Sequence, residues 1–264
     1  MEKNTPLVRL ADLIYRHSGL NYMNNLFTLE PKAARRLKEL GLDCDSYLEF
    51  LERSPQEWEM LMQHVTINET YFFREEAQLN ELVKIAERTP AGQEIRIWSA
   101  ACSTGEEPYS IGMMLEHSGI TARNPVRIIG SDINRRVIKT ASEAFYPGSS
   151  LCFRRTDESR KQAFFAEEGT GYRVKASIRE QVEFREINLL NKSQVESIGP
   201  VDAVFCRNVM IYFDVETILG VIGQFQRLLK PGGHLFLGHA ETLRGFDCGF
   251  ETVKANETFF YRKG

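Results

Sequence analysis

One short stretch constrains the fold of this chain more than any other. Ile95-Arg96-Ile97-Trp98-Ser99-Ala100 is apolar enough to lie buried on both faces, and it runs straight into Ala101-Cys102-Ser103-Thr104-Gly105-Glu106-Glu107-Pro108. A buried strand, a turn of small residues and a helix start in direct succession form the opening unit of a parallel sheet wrapped by helices. The first helix is expected over 108–117. The rhythm then continues with a strand over 126–131, a helix over 134–143, a buried strand over 201–206, a long helix over 216–229 and a strand over 234–238. Segments 250–253 and 258–262 suggest an antiparallel pair closing the sheet.

The chain before this unit reads as helices only. The apolar spacing predicts a helix over 6–17, a second from Pro31 to Gly41, and a third over 46–53. Ser54-Pro55-Gln56-Glu57 has the form of a capping box, opening a helix that buries Trp58, Leu61, Met62 and Val65. A connecting helix follows over 75–88. Residues 146–184 break the strand–helix rhythm, with a short charged helix, a turn at Gly169-Thr170-Gly171 and strand-like segments over 172–175 and 182–184. They are expected to form an inserted antiparallel hairpin. The expected fold class is therefore α/β: a doubly wound, Rossmann-like sheet domain (93–264) with an inserted β-subdomain (146–184), an N-terminal all-helical domain (1–66) and a linker with connecting helix (67–92).

Hydrophobic and charged fractions of 42% and 26% are those of an ordinary globular protein, and a net charge of −3 argues against wholesale binding to nucleic acid or anionic lipid. No run approaches the roughly 20 apolar residues a membrane span needs, and the first residues lack the features of a signal peptide. Five scattered cysteines without a Cys-x-x-Cys pair suggest reduced thiols rather than a disulfide frame or zinc site. The expectation is a cytoplasmic protein, without metal, nucleic acid or membrane insertion, acting as a monomer.

In open α/β sheets, ligands bind beyond the carboxyl ends of the strands, and three such ends here carry polar residues. Glu106 and Glu107 at the first helix start would repel a pyrophosphate. That disfavours NAD, FAD and ATP and suits a cationic ligand or one rich in hydroxyls; simple complementing of the helix dipole is the plainer alternative. Asp132 follows the second strand, where a carboxylate accepts ribose hydroxyls or caps the next helix. Arg207 and Asn208 follow a buried strand and are hard to explain as packing, unless Arg207 serves a structural salt bridge. Tyr212 lies a turn further on and could be an amphipathic core residue. The run Asn68-Glu69-Thr70-Tyr71-Phe72-Phe73-Arg74 mixes core-like aromatics with donors that could line a cleft.

Taken together, NETYFFRE (68–75), IWSAACSTGEEPYSI (97–111), SDI (131–133), NLL (188–190), FCRNVMIYFD (205–214) and GHAE (238–241) resemble CheR, the chemoreceptor glutamate methyltransferase family. The motifs recur in the family's order over nearly the whole chain. The resemblance implies S-adenosylmethionine as cofactor, leaving S-adenosylhomocysteine, and a methyltransferase sheet. It implies methylation of glutamate side chains in the cytoplasmic region of methyl-accepting chemoreceptors, as methyl esters, in chemotaxis adaptation. By position, Asn68, Thr70, Arg74, Glu107, Asp132, Asn188, Leu189, Arg207 and Asn208 resemble the cofactor contacts, and Arg74 and Tyr212 the catalytic residues flanking the transferred methyl group. Glu106 is not among them. The chain departs from many relatives at Ser142-Glu143-Ala144-Phe145-Tyr146, where a glycine usually precedes the tyrosine, and in the sequence of the insertion.

Lys32, Arg35 and Arg36, extended by Lys38, make a basic stripe at helical spacing. It is either an ordinary solvated face or, given an acidic helical receptor, a substrate-binding face. Other readings stay open at this level. An NAD-dependent oxidoreductase fits the fold but not the acidic turn. A sensor or scaffold module would bind the cofactor and transfer nothing. Nucleic-acid methylation is disfavoured by the charge and by the lack of an Asn-Pro-Pro-Tyr type motif.

Overall fold

The computed structural model describes residues 5–264. Its first four helices are α1 (Pro6–Ser18), α2 (Leu26–Leu40), α3 (Cys44–Arg53) and α4 (Pro55–Val65). They close around their own core, which includes Leu10, Ile14, Leu29, Tyr47, Leu51, Leu61 and Val65. Local chemistry sets the boundaries. The Thr5 hydroxyl caps α1 ahead of Pro6, and Gly19 ends it in the left-handed region at φ 78°. Asp43 caps α3 by accepting from the Ser46 amide at 2.8 Å.

Two sequence expectations fail here. The second helix starts at Leu26, a turn and more before Pro31, which lies inside it. An interior proline costs about 3 kcal/mol. Burying one leucine returns about 1.5–3 kcal/mol, and α2 buries Leu29 and Ala33 while Leu26, Leu37 and Leu40 pack on the same core. The capping box at Ser54 does not close: Ser54 makes no side-chain cap. Glu57 turns inward instead, accepting from Arg36 Nε at 2.8 Å, Arg36 Nη2 at 2.7 Å and the Tyr47 hydroxyl at 2.7 Å.

Helix α5 (Glu76–Ala86) leads into the sheet domain, whose elements are β1 (Ile95–Ala100), α6 (Glu106–His117), β2 (Val126–Asp132), α7 (Arg135–Glu143), β3 (Phe145–Pro147), α8 (Glu158–Phe164), β4 (Phe165–Glu168), β5 (Gly171–Val174), α9 (Ala176–Arg179), β6 (Val182–Glu186), α10 (Lys192–Glu196), β7 (Val201–Cys206), α11 (Val215–Leu228), β8 (Leu229–Leu237), β9 (Phe250–Lys254) and β10 (Phe259–Lys263). The main sheet runs β6-β2-β1-β7-β8-β10-β9. Its first five strands are parallel, and β10 and β9 are antiparallel at the far edge. Helices cover both faces. Ile97 and Ile128 pack with α5 and α6 on one side, while Trp98 and Ile129 pack with α10 and α11 on the other. This is the doubly wound architecture.

The inserted sheet is β3-β5-β4, antiparallel throughout. Its aromatic side chains join the core beneath it: Phe72 packs edge-on against Tyr146 and Phe165 and stacks on Phe153. Residues 182–184, expected in the insertion, belong instead to β6, which pairs with β2 in the main sheet. Strand β8 begins directly after α11, and its Pro231-Gly232-Gly233 turn is absorbed as a register shift between Val201 and Ala203 of β7. The strand order reverses between β1 and β7, so a crevice opens at their carboxyl ends. Among the described residues, no helix is long and apolar enough to cross a membrane.

Candidate cofactor cleft and active site

Three chain segments leave the carboxyl ends of β1, β2 and β7 and line one cavity, together with residues from 18–22, 65–74 and 187–189. The turn after β1 is sharply folded: Ala101, Ser103 and Gly105 have φ of 57°, 51° and 92°. Left-handed backbone is unfavourable for alanine and serine, so neighbouring contacts must hold it. The Cys102 amide donates to the Ser131 carbonyl at 2.8 Å, and the Ser103 amide donates to Asp132 Oδ2 at 2.9 Å. A glycine is required at position 105 on two counts, its φ and the Ala141 methyl that a Cβ would meet at 2.8 Å.

Asp132 ends β2 with both carboxylate oxygens engaged, its Oδ1 accepting from the Asn134 amide at 2.9 Å. It is only 6% exposed. Burial pushes its carboxyl up to about 6, against the pull of the Asn134, Ser103 and Ile133 amides. The helix cap that the sequence left open for Asp132 is supplied by the Asn134 side chain, which accepts from the Arg136 amide.

Glu106 and Glu107 part company at the start of α6. Glu106 is buried away from the cleft, with the Thr104 hydroxyl donating to it, and desolvation pushes its carboxyl up to about 7. Glu107 faces the cleft. It accepts from the Ser99 hydroxyl at 2.6 Å and from Arg207 Nε at 2.5 Å. Arg207, whose side chain is 2% exposed, also donates to the Arg74 carbonyl at 2.7 Å and lies 3.6 Å from Glu75. The structural salt bridge weighed for Arg207 is thus real, and it forms part of the cleft wall.

Asn208, next along, sits at φ 60°, which asparagine tolerates better than most residues. Its side-chain Oδ1 is buried without a hydrogen-bond partner. Tyr212 lies on the short turn that follows, where burial raises its phenol while nearby Arg74 opposes the shift. Arg74 Nη1 donates to the Glu69 carbonyl at 3.1 Å, and Phe73 and Glu75 on either side have φ of 59° and 53°. The Asn68 side-chain Nδ2 donates to the Thr66 hydroxyl at 3.1 Å, and the Ser103 hydroxyl donates to the Asn68 backbone carbonyl at 3.0 Å. The Asn188 side-chain Nδ2 donates to the His17 carbonyl at 2.6 Å.

All ten sequence-derived candidates for the cofactor and catalytic groups, Asn68, Thr70, Arg74, Glu107, Asp132, Asn188, Leu189, Arg207, Asn208 and Tyr212, line this one cavity. Lys32, Arg35 and Arg36 do not. Arg36 is committed to buried Glu57, and Lys32 Nζ donates to the Val65 carbonyl at 2.9 Å and the Tyr22 hydroxyl at 3.1 Å. Of the three, Arg35 is the solvent-facing member, 3.5 Å from Glu39.

Sequence reasoning missed the share of the cleft made by the helical region. Ser18, Leu20 and Tyr22 line the cavity. The Asn21 amide donates to the Tyr212 carbonyl at 2.9 Å, and the Tyr15 hydroxyl donates to Asp214 Oδ2 at 2.7 Å. The available signal was Gly19, where a Cβ would meet Thr217 Cγ2 at 2.9 Å.

Residues 68–259 match the family model described as CheR methyltransferase, SAM binding domain. The chain is 39% identical to the chemotaxis protein methyltransferase of Escherichia coli strain K12, over 94% of this chain and 89% of that protein. It is 38% identical to the chemotaxis protein methyltransferase of Salmonella typhimurium, over 94% and 88%. Chemotaxis protein methyltransferase 2 of Vibrio cholerae is 32% identical, over 98% of this chain and 93% of its own length. With that agreement running from the helical region to the closing strands, the chain belongs to the CheR methyltransferase family and carries its S-adenosylmethionine-binding domain.

Proposed function

We propose that this protein transfers the methyl group of S-adenosylmethionine to glutamate side chains in the cytoplasmic region of methyl-accepting chemoreceptors, forming methyl esters. The observation that carries this reading is the pairing of opposite chemistries in one cavity. Asp132 and Glu107 present carboxylates, and Arg74 and Tyr212 present a cation and a phenol.

The residues present fit the cofactor. Asn208 lines the cavity, and its side-chain Oδ1 is a buried acceptor without a donor inside the protein. An unpaired buried acceptor costs about 1–3 kcal/mol, a cost that a ligand donor removes. Asp132 is the acceptor suited to ribose hydroxyls, with Asn68, Thr70, Asn188, Leu189, Arg207 and Asn208 completing the surround. Bound there, S-adenosylmethionine supplies an activated methyl group on a positively charged sulfur.

A substrate glutamate is already ionised at neutral pH, so the side chains have no proton to remove. Their task is to orient the incoming oxygen and keep water out. Arg74 and Tyr212 do the orienting. The Arg74 charge must guide the carboxylate without holding it too firmly, because tighter ground-state binding slows attack. Its hydrogen bond to the Glu69 carbonyl limits how far it can follow the substrate. Arg35, the solvent-facing member of the basic stripe, is left to meet an acidic receptor surface, with Lys32 and Arg36 holding the helix that presents it. Transfer of base-labile methyl label from the cofactor to receptors tests the proposal.

A further inference from the structure

Glu241 lies outside the cavity, yet it grips the segment that carries three of the cavity's residues, Asn208, Val209 and Tyr212. Its Oε2 accepts from the Gly238 amide at 2.7 Å and the Asn208 amide at 2.8 Å. Its Oε1 accepts from the Val209 and Met210 amides, each at 2.8 Å, and from the Ile211 amide at 3.4 Å. The side chain is buried, at 4% exposure. Five converging backbone N–H groups take the place that a basic side chain would usually fill, an anion nest built from the chain itself.

We propose that Glu241 is a positioning residue for methyl transfer, acting through Asn208 and Tyr212. This rests on the functional reading above and adds to it a residue that touches neither cofactor nor substrate. The geometry explains why a carboxylate is needed. Asn208 stands at φ 60°, and the four successive amides from 208 to 211 point to one side, a conformation that leaves them without backbone acceptors. Only a group with two oxygens and several lone pairs can accept from all of them. The approach is close on the other side as well, since a Cβ at Gly238 would meet the Asn208 amide nitrogen at 2.9 Å and Glu241 Oε2 at 2.9 Å. The end of β8 and the end of β7 are thereby locked together. Tyr212 follows Ile211 directly, so its place over the cleft depends on the same lock. Its carbonyl, accepting from Asn21, fixes only the far end of the segment.

Glu241→Gln tests this with nearly the same shape. The amide keeps one oxygen and turns an N–H₂ group toward backbone donors, so the segment must rearrange. Purified full-length Glu241→Gln is expected to melt cooperatively. Its dissociation constant for S-adenosylhomocysteine should rise roughly 10- to 100-fold, and its kcat for receptor methylation at saturating cofactor should fall by a similar factor. In a double-mutant cycle, Tyr212→Phe should cost much less in the Glu241→Gln background than in wild type, because the phenol is already displaced. Wild-type affinity and kcat in Glu241→Gln would overturn the proposal. So would a reduced active fraction with unchanged constants and an additive cycle, the pattern of a merely structural residue. Where Glu241→Gln does not fold, Gly238→Ala presses on the same lock, and wild-type constants there would equally overturn it. Failure of the wild-type protein itself to methylate receptors would instead strike the underlying functional reading.

Discussion

Arg207 Nε and Glu107 Oε2 meet at 2.5 Å in the cleft wall, tying the carboxyl end of β7 to the first turn of α6. Both side chains are largely withdrawn from water, and Glu75 approaches the same guanidinium at 3.6 Å. Removing the arginine strands two buried carboxylates. Breaking a buried pair in this way costs about 3–5 kcal/mol. Arg207→Met should therefore lower unfolding free energy in urea by that order. Arg207→Lys should recover only part of it, since an ammonium cannot serve Glu107 and the Arg74 carbonyl with the same fork. Equal stability of all three proteins would show that the pair does not support the cleft.

Arg74 and Tyr212 are expected to act on the reaction rather than on cofactor affinity alone. Tyr212→Phe removes one donor and should lower kcat about 10-fold, and Arg74→Ala should lower it roughly 10- to 100-fold, through loss of orientation. Steady-state assays with saturating S-adenosylmethionine measure this. Wild-type turnover in both variants would remove these residues from the reaction.

Cofactor affinity should depend on pH through Asp132. Its carboxyl is pushed up to about 6 by burial, and hydroxyl donors from a ligand need the ionised form. Binding of S-adenosylhomocysteine is therefore expected to weaken as pH falls through about 6. Asp132→Asn should bind more weakly at neutral pH and lose most of that dependence. Calorimetric titration between about pH 5 and 8, which brackets the Asp132 transition near 6, checks both outcomes. A wild-type curve as flat as the variant's would exclude Asp132 as the titrating acceptor.

Glu106 should make the protein more stable on mild acidification. Its carboxyl titrates near 4.5 when unfolded and is pushed up to about 7 in the folded state by desolvation. Between those values the folded state binds more protons, so the contribution of this group is fully present below 4.5 and is lost as pH rises through about 7. Glu106→Gln keeps an oxygen for the Thr104 hydroxyl and carries no charge. It should exceed wild-type stability at pH near 8 by roughly 1–3 kcal/mol, with the gap closing toward pH 5. A pH-independent gap would show that charge burial is not the cause.

Much of this architecture was legible because parallel strands buried on both faces have a plain signature. The runs that became β1, β2 and β7 are apolar apart from a charged second residue (Arg96, Arg127 and Asp202), and their polar ends mark the cleft. Strand β6 was misplaced for the opposite reason. Val182-Glu183-Phe184-Arg185-Glu186 alternates like a half-exposed hairpin strand, because it lies at the edge of the main sheet with only partial cover. At Glu57 and Pro31, tertiary burial overrides the local rules for capping and for helix starts. Helix spacing put Lys32 and Arg36 on one basic face, but spacing cannot show that Glu57 and the Val65 carbonyl draw them inward. The loop 18–22 reaches the cleft only because α1 seats against residues 212–217, a meeting of distant segments with no local signal beyond Gly19. Glu241 stood in a short motif whose purpose shows only when the five amides around it are seen together.

Methyl transfer to receptor glutamates is the reaction proposed for this cleft. Its most direct test incubates the purified protein with methyl-labelled S-adenosylmethionine and membranes containing methyl-accepting chemoreceptors, then treats the labelled receptors with mild alkali. The expected result is receptor-bound label that alkali releases as methanol, as a glutamate methyl ester requires. Alkali-stable label, or tight S-adenosylhomocysteine binding with no transfer to receptors, would contradict it.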